Sequence, residues 1–103
     1  MSYYAELDNA KKTGGDVATN SGWSQFREWV EDLDIECVQL QHLAEHGWSQ
    51  NLKQLESDIR GALDESPDSA NADIAEGLLA ILDGKADAEV LVVTDGCGVG
   101  GSN

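Results

Sequence analysis

The sequence predicts a mainly α protein, a small bundle of about four helices with one short C-terminal β-strand. Three observations lead there. Apolar residues recur at spacings of three and four in four segments, those segments are bounded by capping or glycine chemistry, and a single run, Val90-Leu91-Val92-Val93-Thr94, is β-branched and continuous. With 103 residues the chain has room for one compact domain.

The first helix is predicted over 22–33, where Trp23, Phe26, Val30 and Leu33 share one face, Trp29 lies beside them, and Asn20 or Ser21 stands at the cap. A second is predicted over 35–46, with Ile35, Val38, Leu40 and Leu43 apolar and Gly47 placed for a left-handed C-terminal residue. The third, 49–64, starts at Ser49 and carries the stripe Leu52, Leu55, Ile59, Ala62 and Leu63. A loop with the only proline, Pro67, precedes a fourth helix over 72–83, lined by Ile74, Leu78, Ile81 and Leu82 and ended by Gly84. Asn71 or Ser69 is its expected cap, with Asp73 in the first turn.

A lone strand at 90–94 leaves backbone groups unpaired, so it needs a partner. The segment Tyr3 to Leu7 is one candidate, and a second copy of the chain, giving a homo-oligomer, is another. The expected organisation is therefore a loosely ordered N-terminal arm over 1–20, a helical domain with its terminal strand over 21–94, and a flexible glycine-rich tail over 95–103. Gly22-Trp23-Ser24-Gln25 recurs as Gly47-Trp48-Ser49-Gln50, which reads as two similar helix starts anchored by tryptophan. Trp23, Trp29 and Trp48 read first as core residues, and they are also the candidate partner-binding residues.

Charge is the dominant compositional fact, with 20 Asp and Glu against 6 Lys and Arg and a formal net charge of −14. Phosphate backbones and anionic membranes are repelled by such a surface, so neither nucleic acid nor membrane is an expected ligand. The acidity suits either a soluble protein, as in a high-salt cell, or one that binds a basic protein or mimics DNA. The first residues hold no apolar signal core and no stretch is long enough to span a bilayer, which points to the cytoplasm. Cys37 and Cys97 are expected as free thiols.

Four motifs offer chemistry. His42-Leu43-Ala44-Glu45-His46 matches the H-x-x-E-H pattern of inverzincin metallopeptidases: histidines four apart on a helix can share zinc, and the intervening Glu can serve as base. Against that stand the missing third ligand and the position of both rings toward the apolar side of the helix, which favours structural histidines. The acidic segment Asp64 to Asp73 lacks the alternating ligands, glycine and distal Glu of a calcium loop. Cys97 has no neighbouring cation in sequence to activate it. Gly96, Gly98 and Gly101 have dinucleotide-fingerprint spacing, but only Ser102 and Asn103 follow, leaving no helix to receive a pyrophosphate.

No cofactor is expected. The leading functional reading is a non-enzymatic, acidic protein-interaction module, an inhibitor, adaptor or antagonist of a basic partner. The alternative is a small metal-binding protein or metal-dependent hydrolase built on His42, Glu45 and His46.

Overall fold

The computed structural model describes residues 2–67 and 70–95. Its elements run β1 (Ser2–Leu7), β2 (Gly14–Thr19), α1 (Asn20–Asp32), α2 (Val38–His46), β3 (Trp48–Ser49), α3 (Leu52–Glu65), α4 (Ala70–Leu82) and β4 (Leu91–Asp95). This is an α+β fold of four helices and a four-stranded antiparallel sheet ordered β2-β1-β4-β3. It overturns the expected mainly α bundle with one short strand. The glycine-rich segment with Gly96, Cys97, Gly98 and Gly101 lies outside the described residues.

The helices stand close to where the apolar periodicity places them, because most of the predicted stripes are buried; the exception is α2, which starts at Val38, three residues later than expected, so that Ile35 lies before it and Val38 is 61% exposed. Trp23, Phe26 and Val30 of α1, Leu40 and Leu43 of α2, Leu52, Leu55 and Ile59 of α3, and Ile74, Leu78 and Leu82 of α4 are all buried. The caps differ in detail. The Thr19 hydroxyl, rather than Asn20 or Ser21, accepts from the Gly22 N–H at 3.0 Å, and Asn51, rather than Ser49, accepts from the Gln54 N–H at 3.2 Å. Asn71 lies inside α4, which begins at Ala70. Gly47 ends α2 with φ +82°, a left-handed conformation that glycine adopts without strain.

The correction concerns the N-terminal segment and β3. Residues 2–19, within the segment expected as a loosely ordered arm, hold a β-hairpin whose strands pair Tyr4 with Asp16 and Glu6 with Gly14, with an irregularity between Tyr3 and Tyr4. The sequence of β2, GGDVAT, gives little hydrophobic signal, so the strand exists through backbone pairing and through its seat against α1 and α4. Gly14 is a requirement of that pairing, because a Cβ there would collide with the Ala5 carbonyl oxygen.

The predicted C-terminal strand finds its partner within the chain. β4 pairs with β1 from Tyr3↔Asp95 to Leu7↔Leu91, the intrachain partner that the sequence offered, and on its other side with β3 through Trp48↔Val92 and Ser49↔Leu91. Trp48 therefore does not anchor a helix entry as Trp23 does. The two GWSQ copies fall into different structures, one in α1 and the other at a short edge strand.

Strand alternation sorts the sheet into two faces. Ala5, Leu7, Ser49, Leu91 and Val93 are buried on the helix side and join the core around Phe26, Leu43, Leu55 and Leu78. Tyr4, Glu6, Val92 and Thr94 alternate with them on the opposite face, and Trp48, in register with Val92 at the β3 edge, has its ring against His42 of α2.

Two residues of the β1–β2 connection tie the hairpin to the approach into β4. The buried Asn9 donates from Nδ2 to the carbonyls of Gly84 at 2.9 Å and Ala86 at 3.2 Å. Asp8 accepts at Oδ1 from the backbone N–H groups of Val90 at 3.1 Å and Glu89 at 2.7 Å, and these bonds hold its carboxyl below the ordinary carboxylate range. A depressed folded-state pKa means that this contribution to stability is present above the unfolded value of about 3.9 and disappears as pH falls through the lower folded value. The stability advantage of the wild-type chain over an Asp8→Asn variant is accordingly expected to shrink between about pH 5 and about pH 2. Urea midpoints at the two pH values check this, and a constant difference would contradict it.

Candidate functional site

α2 has no side-chain cap of its own, since Cys37 at the cap position makes no such bond. The deficit is met from α3. Asp58, only 4% exposed, accepts from the backbone N–H of Gln39 at 2.9 Å and of Leu40 at 3.2 Å, while the Gln54 amide donates to its other oxygen at 2.8 Å. A carboxylate at the N-terminus of a helix satisfies otherwise unpaired donors and suits the local positive potential. Burial, with a further contribution from Asp58, raises the pKa of the neighbouring Cys37 thiol, which leaves it protonated and unreactive.

With α2 fixed in this way, its histidines meet β3. The His42 Nδ1 lies 2.9 Å from the Trp48 carbonyl oxygen, and because a carbonyl can only accept, Nδ1 is the donor. The His42 ring also makes a T-shaped contact with Trp48 at 4.4 Å between centroids, and the His46 ring lies 4.6 Å from that of His42. His46 Nε2 is 3.9 Å from the Glu45 carboxylate, an exposed contact that contributes little. Thus His42 and His46 are neighbours, but among the described residues no three His, Cys, Asp or Glu side chains are grouped to hold a metal ion. His42 serves as a bracket for the β3 edge.

The three tryptophans are separated by the fold. Trp23 is 4% exposed, stacked on Tyr3 at 5.3 Å and packed on Phe26 at 5.1 Å, so it belongs to the core. Trp29 is partly buried and donates from Nε1 to the Ser66 hydroxyl at 3.1 Å, joining α1 to the end of α3. Trp48 alone is largely open, at 41% exposure.

Trp48 lies in a patch. Its cross-strand neighbour Val92 is 39% exposed, and Val38, one turn before His42 on α2, is 61% exposed. These are the three exposed large hydrophobic residues among those described, and His42 packs against one of them, Trp48. Across the strands the row continues from Val92 to Glu6, and the next row holds Thr94, Tyr4 and Asp16. The outer face is thus aromatic and aliphatic at the β3 edge and carboxylate-bearing toward β2, with no lysine or arginine among its described residues.

Around the β3 edge from this face lies an open cleft of about 800 Å³. It is lined by Trp48 and His42, by Gln50 of the β3–α3 connection and Lys53 at the start of α3, and by Lys85 and Glu89 of the α4–β4 connection. Its lining joins two stretches far apart in the chain, 39–53 and 85–89, which no local pattern in the sequence brings together.

Comparison with known proteins finds no match: no family model, no curated protein and no solved structure is significantly similar to the chain. Among the described residues, no helix is long and apolar enough to cross a membrane. Fold and surface chemistry alone therefore define the class of protein, an acidic α+β domain with one covered and one open sheet face.

Proposed function

We propose that the chain is a non-enzymatic interaction module that binds a basic segment of a partner protein across the open face of its sheet. The observation that carries this reading is the exposed Trp48–Val92 pair, set beside Glu6 and Asp16 on a face with no cation among its described residues. Contiguous exposed apolar surface rimmed by charge is the usual mark of a protein-binding face. The indole is a surface on which an arginine guanidinium stacks, and cation–π contacts of this kind contribute about 0.5–2 kcal/mol. The net charge of −14 supplies long-range attraction for a basic partner and repels nucleic acid. An inhibitor or antagonist of a nucleic-acid-binding protein would need this combination.

A synthetic peptide alternating arginine and leucine, titrated into isotopically labelled protein at physiological salt, tests the reading. Saturable amide shifts are expected at Tyr4, Glu6, Trp48, Val92 and Thr94. Trp48→Ala is expected to weaken binding about tenfold, equivalent to 1.4 kcal/mol, while costing less stability than loss of a core tryptophan, because the residue is 41% exposed and its backbone bond to His42 remains. Shifts spread over the whole acidic surface and unaffected by Trp48→Ala would overturn it.

A further inference from the structure

We propose a second site of different chemistry: the cleft beyond the β3 edge binds a small planar anion, its ring against Trp48 and its carboxylate or phosphate held by Lys53 and Lys85. Charge is locally inverted at this cleft. Acidic residues outnumber lysine and arginine by 20 to 6 over the chain, yet two of those six cations and one of the two histidines line this single cleft. Glu89 is the one carboxylate there. A surface this acidic repels a free anion almost everywhere, so a cleft whose lining carries a net positive charge is the favourable place for one.

The two lysines keep charge to offer. Lys53 makes no ion pair among the described residues. Lys85 Nζ lies 3.6 Å from Glu56, but the same carboxylate also holds Arg60 at 3.5 Å. One negative charge is shared between two cations, and Lys85 is incompletely neutralised.

The remaining walls suit a flat molecule. Trp48 is open at 41% exposure and its orientation is fixed by His42, whose ring stands edge-on to it, so the indole is presented as a rigid surface. Gln50 adds an amide that can donate or accept. A volume of about 800 Å³ admits a one- or two-ring metabolite. An apolar ligand is disfavoured, because the lysines and Gln50 would be left facing it.

Amide shifts of the full chain, followed while phenyl phosphate or benzoate is added at low ionic strength, test the site. Saturable shifts confined to Trp48, Gln50, Lys53, Lys85 and Glu89 are expected for at least one of the two, and the tighter of them identifies the acid group. Inorganic phosphate is expected to bind more weakly, and benzyl alcohol to leave the spectrum unchanged. Lys53→Gln and Lys85→Gln are each expected to weaken binding about tenfold, the scale of one lost charge-assisted contact. Lys53 is exposed and unpaired among the described residues, so its variant retains the fold. Shifts that fail to saturate, equal binding of benzyl alcohol, or affinities unchanged in both variants would overturn the proposal. Lys53 lies off the open sheet face, so its variant leaves binding of the basic peptide in place, and the two sites fail separately.

Discussion

An Asp58→Ala chain is expected to lose about 3 kcal/mol of stability, a large share of the roughly 5–15 kcal/mol that holds a domain together. The substitution removes more than one contact. It leaves the N–H groups of Gln39 and Leu40 without their acceptor and strands the Gln54 amide, in a position where Asp58 is 4% exposed and Leu40 fully buried. A buried donor without a partner costs about 1–3 kcal/mol, and here the two donors are the helix end that Asp58 caps, so the loss of the cap and of its acceptor are one cost. Urea unfolding measures the total. Amide exchange locates it, since protection is expected to fall first across α2 and β3, the elements that set His42 and Trp48. Asp58→Asn keeps one acceptor and is expected to lose about half as much. Equal stability of wild type and Asp58→Ala would mean that α2 is capped by something else.

Phe26→Ala is expected to cost about 4 kcal/mol, within the 3–5 kcal/mol typical of deleting a fully buried phenylalanine. Phe26 has no exposed surface and sits between Trp23 at 5.1 Å and Trp29 at 5.6 Å. The packed row Tyr3, Trp23, Phe26 and Trp29 joins β1 to α1, so the cavity would loosen the attachment of sheet to helices. Guanidinium unfolding followed by tryptophan fluorescence reads both the lost stability and the altered surroundings of two of the three indoles. A loss below about 1 kcal/mol would show that this row is not central to the core.

What was legible and what was not follow from how each element is stabilised. A helix satisfies its backbone internally, so its trace in the sequence is one apolar stripe, and α1 through α4 all carry one. β4 announces itself by Leu91, Val92 and Val93. β2 and β3 do not, because their hydrogen bonds go to other segments and their side chains add little: Gly-Gly-Asp-Val-Ala-Thr has no strand pattern, and Trp48-Ser49 copies the start of α1 in four consecutive residues. The same cause hides the role of Asp58, whose partners lie 18 and 19 residues away, and the cleft, whose lysines come from two segments.

The tryptophans mark the division most clearly. Local periodicity correctly places Trp23 on the buried face of α1, and no local rule distinguishes it from Trp48, which has the same neighbours on either side.

By itself, the sequence determined the four helices, most of their buried stripes, the terminal strand with its candidate partner near Tyr3 to Leu7, and the acidity of the surface. These depend on residues close in sequence or on composition alone. The tertiary structure decided that the strands form one sheet, that Trp48 and Val92 meet on its open face, and that His42 braces Trp48 while no third ligand among the described residues joins the histidines. Each of these depends on backbone groups or side chains far apart in the chain, which a single sequence does not pair until the helices have buried their stripes against one face of the sheet.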